Sequence, residues 1–215
     1  MKKIILFILL LFPVFVKAED LTPNAESGIL IEYSTGKILY SKKIDEKLAP
    51  ASMTKIMTLL LIMEAVEEGK INLDDNISIS TNASSMGGSQ VFLDPNTEMK
   101  AEELIKSIAI ASANDSSVAM AEAISGTTAN FVSRMNSRAK ELGCKNTNFK
   151  NVHGLDEEGH YSTAYDMSLI ARELLKHEQI LKYTSTYEAY LNKPNGTSTW
   201  MVNTNKLIKY YTGLD

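Results

Sequence analysis

A serine followed three residues later by a lysine can carry acyl transfer, because on a helix the two side chains lie on one face, one turn apart. The hydroxyl is a weak nucleophile and needs a base beside it. A lysine amine can be that base only if burial lowers its pKa. The chain holds three such pairs: Ser34/Lys37, Ser52/Lys55 and Ser137/Lys140. With this composition about one is expected by chance, so spacing alone decides nothing. Position separates them. Ser34/Lys37 falls in a hairpin turn, and Ser137/Lys140 falls late in a polar helix. Only Ser52/Lys55 opens an apolar helix, just after Pro50-Ala51. At that helix start the Ser52 N–H is free to bind a developing oxyanion, with the helix dipole in support. Met53, Ile56 and Leu59 are expected to supply an apolar surround for Lys55.

A second polar group sits at a break between two helices, Ser112-Ala113-Asn114-Asp115. Short polar side chains at such a break can point into a cleft. Equally, Ser112 or Asp115 can simply cap the following helix. Another Ser-x-Asn, Ser80-Thr81-Asn82, is expected in a loop.

Several elements must position these groups. Gly28 to Tyr33 and Lys37 to Lys43 are β-rich runs around the turn signal Ser34-Thr35-Gly36, and read as a hairpin. From Ala49 to Glu68, apolar residues recur at helical spacing and fill the other faces too, so this helix should be buried on most sides, ending at Gly69. Further helices are expected over Glu102–Ala111, through the apolar run Val118–Ile124, over Ala129–Leu142 with Thr128 as cap, and over Ala164–His177 opened by a Thr163/Asp166 capping box. Thr186–Leu191 and Ser198–Val202 read as strands around Lys193-Pro194-Asn195-Gly196. The order suggests an α/β or α+β domain with a helical middle layer and a sheet shared by the two ends.

Composition narrows the function classes. The 215 residues are 44% hydrophobic and 22% charged, enough for one main domain. Lys2 and Lys3, the apolar stretch Ile4 to Val16, and Val16-Lys17-Ala18 make the pattern of a secretory signal peptide over residues 1–18, with an uncleaved anchor as the rival. The rest, 19–215, reads as the domain. Without the leader the formal charge moves from −4 to −7, because three lysines and no acid are lost. So acidic a domain is a poor candidate for binding nucleic acid or anionic lipid. The single cysteine, Cys144, reads as a buried thiol, and His153 and His160 are a weak metal signal.

With Ser-x-x-Lys at Ser52 and Ser-x-Asn 60 residues later at Ser112, the chain resembles the serine penicillin-recognising enzymes. Ala49-Pro50-Ala51-Ser52-Met53-Thr54-Lys55-Ile56-Met57-Thr58 is similar to the nucleophile segment of the D-alanyl-D-alanine carboxypeptidases, the low-molecular-weight penicillin-binding proteins of peptidase family S11. The segments Met86 to Gln90, Ser112 to Asp115, Asn151 to Leu155, Gly159 to Met167 and Asn203 to Leu207 resemble that family in the same order. The resemblance spans about Asn24 to Asp215. It implies a β-lactamase/transpeptidase-like fold, a helical layer with an antiparallel sheet. It implies that Ser52 attacks the carbonyl between two terminal D-alanines of a peptidoglycan stem peptide and that Lys55 takes its proton. Ser112 would relay a proton to the leaving amine, and Asn114 would orient Lys55 and the substrate backbone. It implies trapping of Ser52 by β-lactams, an extracytoplasmic location at the cell membrane or wall, a role in peptidoglycan synthesis and cell shape, and no metal or organic cofactor.

One family element is not found. No Lys-Thr-Gly or Lys-Ser-Gly occurs, and Tyr211-Thr212-Gly213 resembles the stretch just upstream of that motif. The resemblance therefore implies a chain shortened before its last sheet strands, and with them any membrane-anchoring C-terminal segment. The missing lysine would bind the substrate carboxylate, and the missing strand would supply an oxyanion donor worth about 10²–10³ in rate. The sequence expectation is an unstable, nearly inactive chain whose hairpin keeps an open apolar face. Two other readings stay open: an inactive wall-binding relic, and a β-lactamase. For the latter, Glu188-Ala189-Tyr190-Leu191-Asn192 matches a Glu-x-x-Leu-Asn pattern, but it lies 76 residues past Ser112 and reads as a strand.

Overall fold

The structure is a computed structural model that describes residues 20–211. The expected leader, residues 1–18, and Thr212-Gly213 lie outside the described residues.

The fold is organised around one helix. The chain enters through β1 (Gly28–Ile31) and β2 (Ile38–Lys42), an antiparallel hairpin with a register shift at Leu30/Ile31. A 3-10 turn, Ala51–Met53, leads into α1 (Thr54–Glu67). Leu, Met and Ala, which are good helix formers, and the lack of any internal Gly or Pro favour α1. Met57, Leu60, Ile62 and Ala65 have no exposed surface. Burial of each large side chain is worth about 1.5–3 kcal/mol. The helix stops in a Schellman cap: Gly69 N donates to Val66 O and Lys70 N to Ala65 O, with Gly69 at φ +68°.

β3 (Asn76–Ser78) precedes α2 (Thr81–Ser84) and pairs antiparallel with β4 (Glu98–Lys100). Next come α3 (Ala101–Ala111), α4 (Asn114–Ser125), α5 (Thr128–Glu141), α6 (Ala164–Leu174) and α7 (Gln179–Thr184). The helices α3, α4, α5 and α6 all pack on α1. β5 (Glu188–Asn192) and β6 (Ser198–Val202) close the chain as a second hairpin, followed by a 3-10 turn at Lys206–Lys209.

Several expectations need correction. The described strands form three separate antiparallel ribbons, so the hairpins at the two ends do not share a sheet. The β5–β6 hairpin packs on α3 instead, and Thr204 N donates to Ile110 O at 3.2 Å. Ser80 is not in a plain loop: its hydroxyl caps α2 by accepting from Ala83 N. Thr127, not Thr128, caps α5, because its side chain is the one that reaches Asn130 N. Thr163 caps α6, but the reciprocal half of the box is absent; the Asp166 carboxylate turns away to accept from Asn146 N and Thr147 Oγ1. The ribbon β3–β4 and helix α7 were not foreseen.

The first hairpin leaves Leu30 and Leu39 more than half exposed. Between it and α6 runs an apolar groove of about 480 Å³, lined by Ile29, Ile31, Pro50, Met53, Met167 and Leu175. Among the described residues no helix is long and apolar enough to cross a membrane.

Candidate active site

Ser52 sits at the surface on the 3-10 turn, directly ahead of α1. The first hydrogen bond of the turn runs from Met53 N to Pro50 O at 3.0 Å, one residue past Ser52. The Ser52 N–H therefore lies ahead of the hydrogen-bonded ladder, where helix starts leave donors free. Ala51, the residue before it, has φ +45°, a left-handed conformation that costs a non-glycine residue about 1–2 kcal/mol. This bend turns the nucleophile outward while the next residues enter the core.

Lys55 lies one turn on and is only 3% exposed. Its Nζ donates to His153 O at 2.7 Å and to Ser52 Oγ at 3.3 Å. Both acceptors are neutral, and among the described residues no carboxylate is hydrogen-bonded to the ammonium. Burial alone therefore lowers its pKa, from 10.5 to about 8. That brings a free amine within reach near neutral pH, which is what a base for Ser52 requires. Thr54, Leu59 and Met57 help to bury this end of α1. Met53 does not: it is 53% exposed and faces the apolar groove on the other side.

The floor of the site comes from the segment Asn151 to Leu155. Thr58 Oγ1 donates to Val152 O at 2.7 Å, and Asn151 Oδ1 accepts from Gly154 N at 2.7 Å. These bonds aim the His153 carbonyl at Lys55. The His153 imidazole is pushed down to about 4, by burial first and by the Lys55 charge second, so it is neutral at pH 7. His160 Nε2 is paired with Thr54 Oγ1.

Ser112 ends α3 in a left-handed conformation, φ +57°, so it caps neither neighbour with its side chain. Its hydroxyl makes no hydrogen bond to Ser52 or Lys55. Asn114 is buried and joined to the segment Gly87 to Ser89: its Nδ2 donates to Gly87 O at 2.7 Å, and its N to Ser89 O at 2.7 Å. No hydrogen bond joins Asn114 to Lys55, whose orientation the resemblance assigns to it. The two sides of the cleft still meet, because a Cβ on Gly88 would fall 2.9 Å from Asn114 Nδ2 and 3.5 Å from Leu155 Cδ2.

Asp115, offered by the sequence as a possible cap, is not the N-cap of α4, but its Oδ1 accepts from Ser116 N in the first turn at 2.9 Å; its other partners were missed. Fully buried, its carboxylate accepts from Val91 N and Leu93 N, both at 3.1 Å at their shorter contacts. Burial pushes its pKa up against the pull of these donors. It ties the segment 87–93 to the helix that carries Asn114. Its place beside Asn114 was the available signal, but its partners lie 22 and 24 residues away. The Glu188 of the Glu-x-x-Leu-Asn pattern is on β5 and accepts from Trp200 Nε1 at 3.2 Å; it takes no part in this site.

Residues 15–215 match the family model described as D-alanyl-D-alanine carboxypeptidase, peptidase family S11. The chain belongs to that family. It is 59% identical over 199 residues to the D-alanyl-D-alanine carboxypeptidase DacF of Bacillus subtilis, covering 93% of this chain and 51% of that one. It is 42% identical to DacA of Escherichia coli over 159 residues, 71% of this chain and 40% of the relative. The chain thus spans about half the length, or less, of these curated relatives. Among solved structures it superposes on the D-alanyl-D-alanine carboxypeptidase DacD of Francisella tularensis with a TM-score of 0.80 at 33% identity, covering 86% of this chain and 45% of the other. It superposes on penicillin binding protein 5 of Haemophilus influenzae with a TM-score of 0.80 at 35% identity, covering 86% and 54%. The fold is therefore the mixed helix and sheet fold of the penicillin-binding carboxypeptidases, as the sequence implied.

Proposed function

We propose that this chain carries the nucleophile half of a serine D-alanyl-D-alanine carboxypeptidase that acts on peptidoglycan stem peptides. The observation that carries the reading is the buried Lys55 amine, held between Ser52 Oγ and a fixed backbone carbonyl with no counter-ion. The neutral amine accepts the Ser52 proton as Oγ bonds to the carbonyl carbon of the penultimate D-alanine. The oxyanion that forms lies by the Ser52 N–H. Collapse breaks the peptide bond, and the departing D-alanine amine takes a proton through Ser112. Water then cleaves the ester, which restores the Ser52 hydroxyl and releases the shortened peptide. Asn114 holds the substrate backbone from the opposite wall. A β-lactam follows the same first step and stays attached. The Lys2 to Ala18 pattern supports export of the domain to the peptidoglycan side of the cell membrane.

Acylation by a fluorescent penicillin, followed to completion and located by peptide mass spectrometry, tests this reading. An adduct on Ser52 that is lost in Ser52→Ala, with slow release of D-alanine from a D-Ala-D-Ala peptide, is the expected result. Fast turnover of a chromogenic β-lactam would point instead to a β-lactamase. The second reading is a wall-binding protein without catalysis. Binding to cell-wall fragments with no adduct on Ser52 would establish it.

A further inference from the structure

His160 is buried, 6% exposed, and both ring nitrogens are engaged. Lys150 N lies 3.0 Å from Nδ1, and Thr54 Oγ1 lies 2.8 Å from Nε2. A backbone N–H can only donate, so Nδ1 must be the acceptor and the ring proton must sit on Nε2. Thr54 Oγ1 then accepts the hydrogen bond from Nε2–H. Burial also holds the imidazole below its ordinary pKa, outweighing the nearby Glu157 and Asp156 carboxylates, so the ring is neutral. The edge of the ring packs on Phe149, with ring centres 6.0 Å apart.

Thr54 occupies a decisive place. It lies between Ser52 and Lys55, and its N–H closes the 3-10 turn onto Ala51 O. It is roughly opposite Ser52 around the helix axis, so anchoring it fixes which way the turn faces. Its hydroxyl also lies beside Gly154, where an added Cβ would fall 3.0 Å from it.

We propose that His160 is a positioning residue for the nucleophile: its Nε2–H, donated to Thr54 Oγ1, locks the turn that sets Ser52 against Lys55. It contacts neither substrate nor the reacting atoms. The role rests on the acyl-transfer reading above and adds to it the part that orients the serine.

The test compares penicillin acylation rates, binding constants and melting temperatures of four variants with the unmodified protein. His160→Gln places an amide N–H near the Nε2 position, and His160→Leu removes the donor. Thr54→Ser keeps the acceptor, and Thr54→Val removes it with little change of shape. The expected result is a loss of about 10²-fold in acylation rate for His160→Leu and Thr54→Val at unchanged penicillin binding, as misplacement of a reacting group produces. His160→Gln and Thr54→Ser should recover most of that loss. Imidazole nitrogen NMR of the unmodified protein should show Nε2 protonated and Nδ1 free. A His160 protonated at Nδ1, or Thr54→Val acylating at the normal rate, would overturn the proposal. If His160→Leu does not fold, the Thr54 pair alone decides. An unmodified protein that never labels would overturn the acyl-transfer reading, and the positioning role with it. Normal labelling with unaffected variants would remove the positioning role alone.

Discussion

A Cβ placed on Gly154 would fall 1.8 Å from the carbonyl oxygen of Ala51, the residue immediately before the nucleophile. Two segments that are a hundred residues apart in sequence therefore touch backbone to backbone, and glycine is the residue that permits it. Gly154 also has φ +92°, which disfavours any side chain. Its amide is held by Asn151, and the carbonyl just before it, on His153, accepts from Lys55. Gly154→Ala should push the floor away from Ala51 and pull the His153 carbonyl off Lys55 Nζ. Penicillin acylation should fall by about 10²-fold or more, the scale set by a displacement near 1 Å. Normal acylation in a folded Gly154→Ala protein would show that the floor can relax without disturbing the site.

Asp115 acts at a distance from the chemistry. It satisfies two buried amides, Val91 N and Leu93 N, and so fixes the segment that receives Asn114 Nδ2. Both amides donate to Oδ2, while Oδ1 accepts from Ser116 N. Asp115→Leu, of similar size, removes both oxygens and should leave each amide without a partner, at a cost of about 1–3 kcal/mol apiece. Hydrogen exchange should accelerate at Val91 and Leu93 before it does in α1. Unchanged protection at both amides would mean that the segment is held by its other contacts.

Arg138 provides a contrast, since it stabilises without serving the site. It reaches from α5 to Glu64 on α1 at 2.7 Å and to Glu173 on α6 at 3.0 Å, and these carboxylates keep its guanidinium charged. The three groups are partly exposed, so water screens them. Arg138→Met should lower stability by about 1 kcal/mol, less in high salt, and leave the acylation rate constant unchanged. A change in acylation at constant stability would tie this helix junction to the active site.

The sequence made α1 legible because it is apolar on nearly all faces, and Ser52 legible because it alone among three Ser-x-x-Lys pairs opens such a helix. Local signals set the hairpins and most helix ends. Where local chemistry offered two adjacent candidates, as with Thr127 and Thr128, spacing could not choose between them. The three-residue strands β3 and β4 carry too little pattern to be seen. Met53 was expected beside Lys55, but side chains two residues apart on a helix point to opposite sides, and Met53 lines the groove instead. The contacts that shape the site were beyond reach for a different reason. Thr54 and His160 are separated by 106 residues, and Lys55 and the His153 carbonyl by 98, so no window of sequence contains both partners.

The lowered pKa of Lys55 has consequences for rate and for stability, with opposite implications for design. If the neutral amine takes the Ser52 proton, acylation should rise with pH, with an apparent pKa near 8, and level off above it. The same group weakens the fold at neutral pH. Its folded value of about 8 lies below the ordinary 10.5, so between these values the unfolded chain binds the proton that the folded chain has released. Stability should then increase as pH rises across that window, while the full penalty of burying the charge applies below it. Lys55→Met, similar in length and apolar, should remove acylation yet raise the melting temperature at pH 7. Its advantage over the unmodified protein should shrink as pH approaches 10. A Lys55→Met protein that is less stable at pH 7, or an acylation rate that is flat from pH 6 to 9, would show that Lys55 remains charged in the folded site and acts by orienting Ser52 rather than by taking its proton.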